Sequence, residues 1–186
     1  MMFQTVPFIF GFLPVCLGGF FATGRFWGVN GALYWLAACS LFFYAWWNPA
    51  HGPLLIASVV GNHLIARKLR NAPASRVWLT AGIAANLAVL GWFKYADFLL
   101  HIVAPTAPDL NVTLPLAISF FTFQQIMFLV DTARGGATVS LLPYAAFVTF
   151  FPRLIAGPIV RPAEIIPQLT SPASFIRAPR TSPTES

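Results

Sequence analysis

Six stretches of nearly unbroken apolar sequence, joined by links whose charges are mostly basic, constrain this chain more than any other feature. They run over residues 5–22, 29–47, 53–66, 77–103, 114–130 and onward from Leu141. A helix of roughly 20 apolar residues crosses the hydrocarbon core of a bilayer. Only 9% of the residues are charged and the mean hydropathy is +0.73, whereas a soluble domain carries about 25% charged residues. A soluble chain of this size would still have to cover its surface with polar groups. Within lipid every backbone donor and acceptor must be satisfied inside the protein, which leaves helices as the spanning elements. The pattern predicts an all-α multi-pass membrane protein with about six membrane segments. The third segment, 53–66, is short for a span and is expected to tilt or to sit in thinned bilayer.

Charge placement orients these segments. The net charge is +6, and all five acids lie from Asp97 onward. Nucleic-acid binding would need a basic face on a soluble fold, but these cations sit at the ends of apolar runs, so nucleic acid is excluded as a partner. Arg25 follows the first segment, Arg67, Lys68, Arg70 and Arg76 follow the third, and Arg134 follows the fifth. The links 48–52 and 104–113 hold no Lys or Arg. Alternate links are thus basic, as the positive-inside rule requires. The amino terminus is placed outside and the Arg67–Arg76 link in the cytoplasm, with Trp46 and Trp47 marking the outer interface.

Beyond Leu141 the pattern changes. Pro152, Gly157, Pro158 and Pro162 break the apolar run, with Arg153 and Arg161 among them. Proline removes a backbone donor, and broken backbone at membrane depth is found where protein buries it or where it lines a cavity. A helix followed by a re-entrant or interfacial element is expected. The tail 170–186, with Pro172, Pro179 and Pro183 among serines and threonines, reads as disordered.

Few residues offer chemistry. Cys16 and Cys39 lie inside apolar runs, without metal-ligand spacing or a disulfide framework, and Cys16 lacks the small residues that precede a lipidated cysteine. His51 and His101 sit at segment ends, where an amphipathic ring is comfortable. His63, beside Asn62, either faces a channel or bonds a neighbouring helix. Lys94 and Asp97 share a helical face and read as a local ion pair or as a polar wall. Gln124, Gln125 and Asp131 lie in or beside an apolar span. They either bond neighbouring helices or line a polar tunnel. No Ser/His/Asp or Cys/His grouping and no glycine-rich phosphate loop is present.

Two longer stretches carry a resemblance. Leu114 to Gln124, LPLAISFFTFQ, resembles the LPLGISFFTFQ stretch of bacterial membrane-bound O-acyltransferases. Phe147 to Leu169, FVTFFPRLIAGPIVRPAEIIPQL, is similar to that family's FFPQLIAGPI signature. Phe43-Tyr44-Ala45-Trp46 and Phe93-Lys94-Tyr95 before Phe98-Leu99 agree. The nearest likeness is to the alginate O-acetyltransferase branch. The resemblance implies that residues 1–169 are the amino-terminal part of a helical bundle around a transmembrane tunnel. It further implies a bacterial inner-membrane enzyme that moves acetyl groups from a cytoplasmic donor such as acetyl-CoA to hydroxyls of an extracytoplasmic polysaccharide such as alginate. Periplasmic acetylation proteins are the implied partners beside the lipid bilayer. No bound cofactor or metal is implied.

Candidate tunnel-lining or substrate-path residues are Gln124, Gln125, Asp131, Phe151, Pro152, Gly157 and Pro158. No catalytic residue transfers: the family's catalytic histidine lies in a downstream region, and none of His51, His63 or His101 falls in a matching motif. Ala133 stands where the family has an aromatic residue, and Arg153 where it has glutamine. The change of character after Leu169 points to a truncated or frame-shifted product, with residues 170–186 foreign to the family and the chain inactive by itself. The competing readings are a non-enzymatic membrane scaffold that binds a partner and a small transporter. The absence of an internal repeat speaks against the transporter.

Overall fold

The computed structural model describes residues 6–71, 76–106, 108, 110, 112–136, 139–156 and 160–171. Among the described residues there is no strand; the elements are a π-helical turn (Phe8–Phe12) and helices α1 (Leu13–Trp47), α2 (Gly52–Asn71), α3 (Arg76–Val103), α4 (Ile118–Ala133), α5 (Leu141–Thr149), α6 (Phe151–Ala156) and α7 (Pro162–Thr170). Two helical stretches, Phe8–Trp46 and Arg76–Val103, are long and apolar enough to cross a membrane.

The first of these stretches is a hairpin. Gly28 interrupts α1 with φ 68° and ψ −163°, a conformation open to glycine and costly for residues with a Cβ. The arms then run antiparallel. Phe8 meets Phe43 at 5.6 Å and Phe12 meets Phe42 at 6.1 Å between ring centroids. Lower down, the Trp35 indole N–H donates to the Cys16 carbonyl at 3.0 Å. That indole lies flat on Gly19, where a Cβ would come within 2.2 Å of it. The expected boundary between the first two segments therefore falls at the observed turn. Each arm is about 27–30 Å long at helical rise.

The third segment is longer than expected. Helix α2 has 20 residues, about 30 Å, because the helix continues through Arg67, Lys68 and Arg70 in its last turns. Those cations are favourable there, against the negative end of the helix dipole. Helix α3 begins at Arg76 and ends at Val103, as the apolar run predicts. It pairs antiparallel with α2: Lys68 lies over the Trp78 ring at 4.2 Å, and Asn62 bonds Asn86. His51, just before α2, meets Phe93 at 6.1 Å. The last turns of α3, with Lys94, Asp97 and His101, therefore project past the start of α2.

Asp97 and Lys94 do not form the expected ion pair. One Asp97 carboxylate oxygen accepts the Leu110 backbone N–H at 2.7 Å, and the Lys94 ammonium sits 5.5 Å from the Tyr95 ring centroid. The projection beyond the bundle explains why two charges are tolerated without pairing.

Helix α4 starts at Ile118, four residues later than the predicted segment. The preceding residue, Ala117, has φ 55° and ψ 24°, a left-handed conformation that ends the Leu114–Leu116 approach and turns the chain into the helix. The family stretch quoted above has glycine at this position. The sixth segment is also shorter than a span: α5 has nine residues and stops at Phe150, whose ψ of 100° breaks the helix before α6. The Phe151 N–H freed by this break donates to Ser40 Oγ at 3.4 Å, and Thr149 Oγ donates back to the Ala145 carbonyl at 2.8 Å. One backbone donor freed by the break is thus met by a protein side chain. Arg153 packs over the Phe147 ring at 4.8 Å and donates to the Val160 carbonyl at 3.4 Å, bracing the link from α6 to α7. The break is as the prolines predict; Gly157 and Pro158 lie outside the described residues, as does nearly all of the tail.

The main core gathers α2, α3, α4, α5 and α7 around Leu55, Leu69, Phe121, Phe128, Leu129 and Tyr144. A smaller aromatic cluster ties Phe8 and Phe43 to Phe151, and Ala146 seats α5 against Leu33 and Ala37 of α1. Many large apolar side chains point outward, among them Phe26, Trp27, Val77, Phe98 and Val103, as expected of a surface facing lipid.

Candidate functional site

Helix α4 is the axis of the polar interior. One of its faces meets α2 and α3. There Gln125, wholly buried, accepts from Ser58 Oγ at 2.8 Å and from the Asn62 amide. Asn62 also donates to Asn86 at 3.2 Å and receives a bond from it at 2.6 Å. Asn86 donates in addition to the Gly82 carbonyl at 2.8 Å. Three helices are thus joined by four polar side chains. In apolar surroundings each such bond contributes about 0.6 kcal/mol on average and up to about 1.7. Asn62 and Gln125 thus bond neighbouring helices.

The other face of α4 carries Gln124, Phe128 and Asp131 at a spacing of four and three residues, one stripe of the helix. Phe128 stacks on Tyr144 of α5 at 4.0 Å between centroids, and the His63 ring lies 6.1 Å from Tyr144. Gln124 is fully buried, and neither atom of its amide has a protein partner. The hydroxyls of Tyr44 and Tyr144, Nδ1 of His63 and one Asp131 oxygen are likewise buried without one. Such groups are costly unless hydrogen-bonded. Their concentration in one core makes that core unusually polar.

This stripe ends in a cleft of about 260 Å³ between the end of α4, the start of α5 and α7. Asp131, Thr132, Ser140 and Thr170 supply its polar groups, and Pro143, Pro162 and Pro167 its rigid walls. The Thr132 hydroxyl donates to the Phe128 carbonyl and that of Thr170 to the Ile166 carbonyl. Both therefore present lone pairs outward, beside the Asp131 carboxylate.

Of the predicted path residues, Gln124 and Asp131 fall on this stripe and Gln125 about 100° round the same helix. Phe151 lies elsewhere, edge-on to Phe8 and Phe12 at 6.0 and 5.2 Å. Pro152 is exposed. Ser58, Asn86, Tyr44 and Tyr144 were not among the sequence candidates. Asn86 was the legible one, an amide in the middle of an apolar span; nothing local distinguishes the two tyrosines from core aromatics.

His51 Nε2 lies 3.2 Å from the Thr113 hydroxyl, and His101 Nδ1 lies 2.8 Å from the Asp97 carbonyl. Cys16 is buried against Cys39 across the hairpin and is not presented for lipidation. Among the described residues no group of three His, Cys, Asp or Glu could hold a metal ion.

No protein-family profile matches the chain, and no solved structure matches it. Curated proteins do. The chain is 39% identical to a peptidoglycan O-acetyltransferase of Helicobacter pylori, over 90% of this chain and 38% of that protein. It is 37% identical to a probable alginate O-acetylase of Pseudomonas syringae pv. tomato, over 92% of this chain and 35% of the other. A probable alginate O-acetylase of Pseudomonas aeruginosa is 36% identical over 90% of this chain and 34% of its own length. The chain therefore spans little more than a third of the length of the curated relatives it matches.

Proposed function

We propose that this chain, which belongs to the membrane-bound O-acyltransferase family, builds part of the wall of a passage along which acetyl groups reach hydroxyls of an extracytoplasmic polysaccharide. The observation that carries the reading is the 34–39% identity to named O-acetyltransferases over at least 90% of the chain. The names of those relatives specify alginate and peptidoglycan, so the acceptor proposed here is a hydroxyl-rich glycan of one of these kinds.

The chemistry is transfer of an acyl group. An acceptor hydroxyl oxygen attacks the carbonyl of a thioester such as acetyl-CoA, the carbon–sulfur bond breaks, and the hydroxyl proton must pass to a base. The chain's own residues support the passage and not the base. The Gln124–Phe128–Asp131 stripe gives a buried file of amide, aromatic ring and carboxylate leading to the cleft at α7. His51 and His101 are held by Thr113 and by the Asp97 carbonyl, and His63 is packed on Tyr144.

The placement proposed is the bacterial inner membrane, with about six membrane segments, the amino terminus outside, the donor on the cytoplasmic side and periplasmic acetylation proteins as partners. Alternation of basic and uncharged links supports the orientation.

The test is expression of this chain in a strain that makes alginate but lacks its own acetylating membrane protein, with ester-bound acetate on the secreted polymer as the readout. The chain alone is expected to restore none. Acetylation above the empty-vector level would overturn the proposal that it supplies the passage without the base.

A further inference from the structure

Four cations lie within ten residues at one end of the bundle: Arg67, Lys68 and Arg70 in the last turns of α2 and Arg76 at the first position of α3. All four are exposed. No acid lies within twenty positions of them in the sequence, and the first turn of α3 carries none. Arg76 therefore adds a positive charge to the positive end of a helix dipole, an unfavourable arrangement unless an anion sits nearby.

Leu69, between Lys68 and Arg70, is fully buried and fixes the end of α2 in the core. The Lys68 ammonium lies 4.2 Å over the Trp78 ring, and Val77 beside it is 75% exposed. Cations, an indole and outward-facing aliphatic residues thus share one level of the bundle. This is the composition of a membrane interface, where indoles and basic side chains meet headgroups and aliphatic side chains meet acyl chains.

We propose that the Arg67–Lys68–Arg70–Arg76 collar binds the phosphate of an anionic phospholipid, with Trp78 and Val77 against the top of its acyl chains. The proposal rests on the membrane-embedded reading of the bundle. It goes beyond orientation, because the positive-inside rule needs only charge in the link and not a retained lipid. Clusters of this size next to a spanning helix bind anionic lipid with about 1 kcal/mol per cation, or about fivefold in affinity each.

The experiment uses the whole chain in nanodiscs of phosphatidylcholine, followed by transfer to detergent with equimolar phosphatidylglycerol and phosphatidylcholine and native mass spectrometry of the retained lipid. Failure to enter the nanodiscs would sink the membrane reading itself. Given entry, phosphatidylglycerol adducts are expected to exceed phosphatidylcholine adducts at least about fivefold. R76Q should lower that preference severalfold, and R67Q/K68Q/R70Q/R76Q should bring it to parity. The R67K/R70K/R76K variant keeps the charge and should keep the preference, while R25Q/R134Q leaves the collar intact and should also keep it. Circular dichroism of each variant checks that the helices persist.

Equal retention of the two lipids by the unaltered chain would overturn the proposal. So would an equal loss in R25Q/R134Q, which would mean that overall charge and not the collar selects the lipid. Displacement of phosphatidylglycerol by millimolar glycerol phosphate would overturn the lipid assignment in favour of a soluble phosphate ligand.

Discussion

Replacing Ala117 by glycine should stabilise this protein. Ala117 holds φ 55° and ψ 24° immediately before α4, and its carbonyl accepts the Phe121 N–H at 3.1 Å as the first helical bond of that element. The left-handed conformation costs an L-residue with a Cβ about 1–2 kcal/mol. Glycine removes that cost but brings back unfolded-state freedom amounting to about 0.5–1 kcal/mol. The balance is a gain of about 0.5–1 kcal/mol for A117G, whereas A117V, β-branched at positive φ, should lose more than 1 kcal/mol. Reversible unfolding in mixed micelles, followed by circular dichroism as the denaturing detergent fraction rises, measures the difference. An A117G variant no more stable than the parent, together with an A117V variant equal to it, would show that residue 117 is not left-handed. The entry into α4 would then have been misread.

Two further perturbations test the interior. N62L removes the side chain that links α2 to Asn86 and Gln125. With interhelical bonds in lipid at about 0.6–1.7 kcal/mol each, it should cost about 2–4 kcal/mol in the same assay. A loss below about 0.5 kcal/mol would mean that packing alone holds these helices. Cys16 and Cys39 test the hairpin: they pack in one cluster, whereas along a straight helix they would be about 35 Å apart. Mild oxidation should join them within one chain, read as loss of two alkylatable thiols, and G28A, which disfavours the turn, should slow the joining. Thiols that stay free under oxidant would rule out the hairpin.

How far the sequence could be read depended on the range of the forces involved. Apolar runs report the solvent directly, so α3 was bounded to within a residue, and the first two segments were separated within a few residues of Gly28. The end of α2 was missed because Arg67, Lys68 and Arg70 looked like a loop by polarity. The helix instead runs on through them, because the negative end of its dipole favours those cations. Lys94 and Asp97 looked like an ion pair because they share a face; the projection of α3 beyond α2 leaves both wet, and solvent removes the drive to pair.

At the polar interior, residue types were legible and their partners were not. Gln124 and Gln125 are neighbours of the same type, and the sequence left both between helix bonding and a passage. Only the helix packing decides: the Gln125 oxygen turns to α2 and accepts from Ser58 and Asn62, leaving only its amide nitrogen without a partner, while neither polar atom of Gln124, one position earlier, finds one. A rotation of about 100° per residue separates those two fates, and it acquires meaning only once α2 and α5 have taken their places on either side of α4. What the sequence determined by itself was the solvent, because transfer of apolar surface is a sum over residues whatever their order in space. What the tertiary structure decided was which buried polar groups meet, because a hydrogen bond depends on distance and direction between residues far apart in the chain.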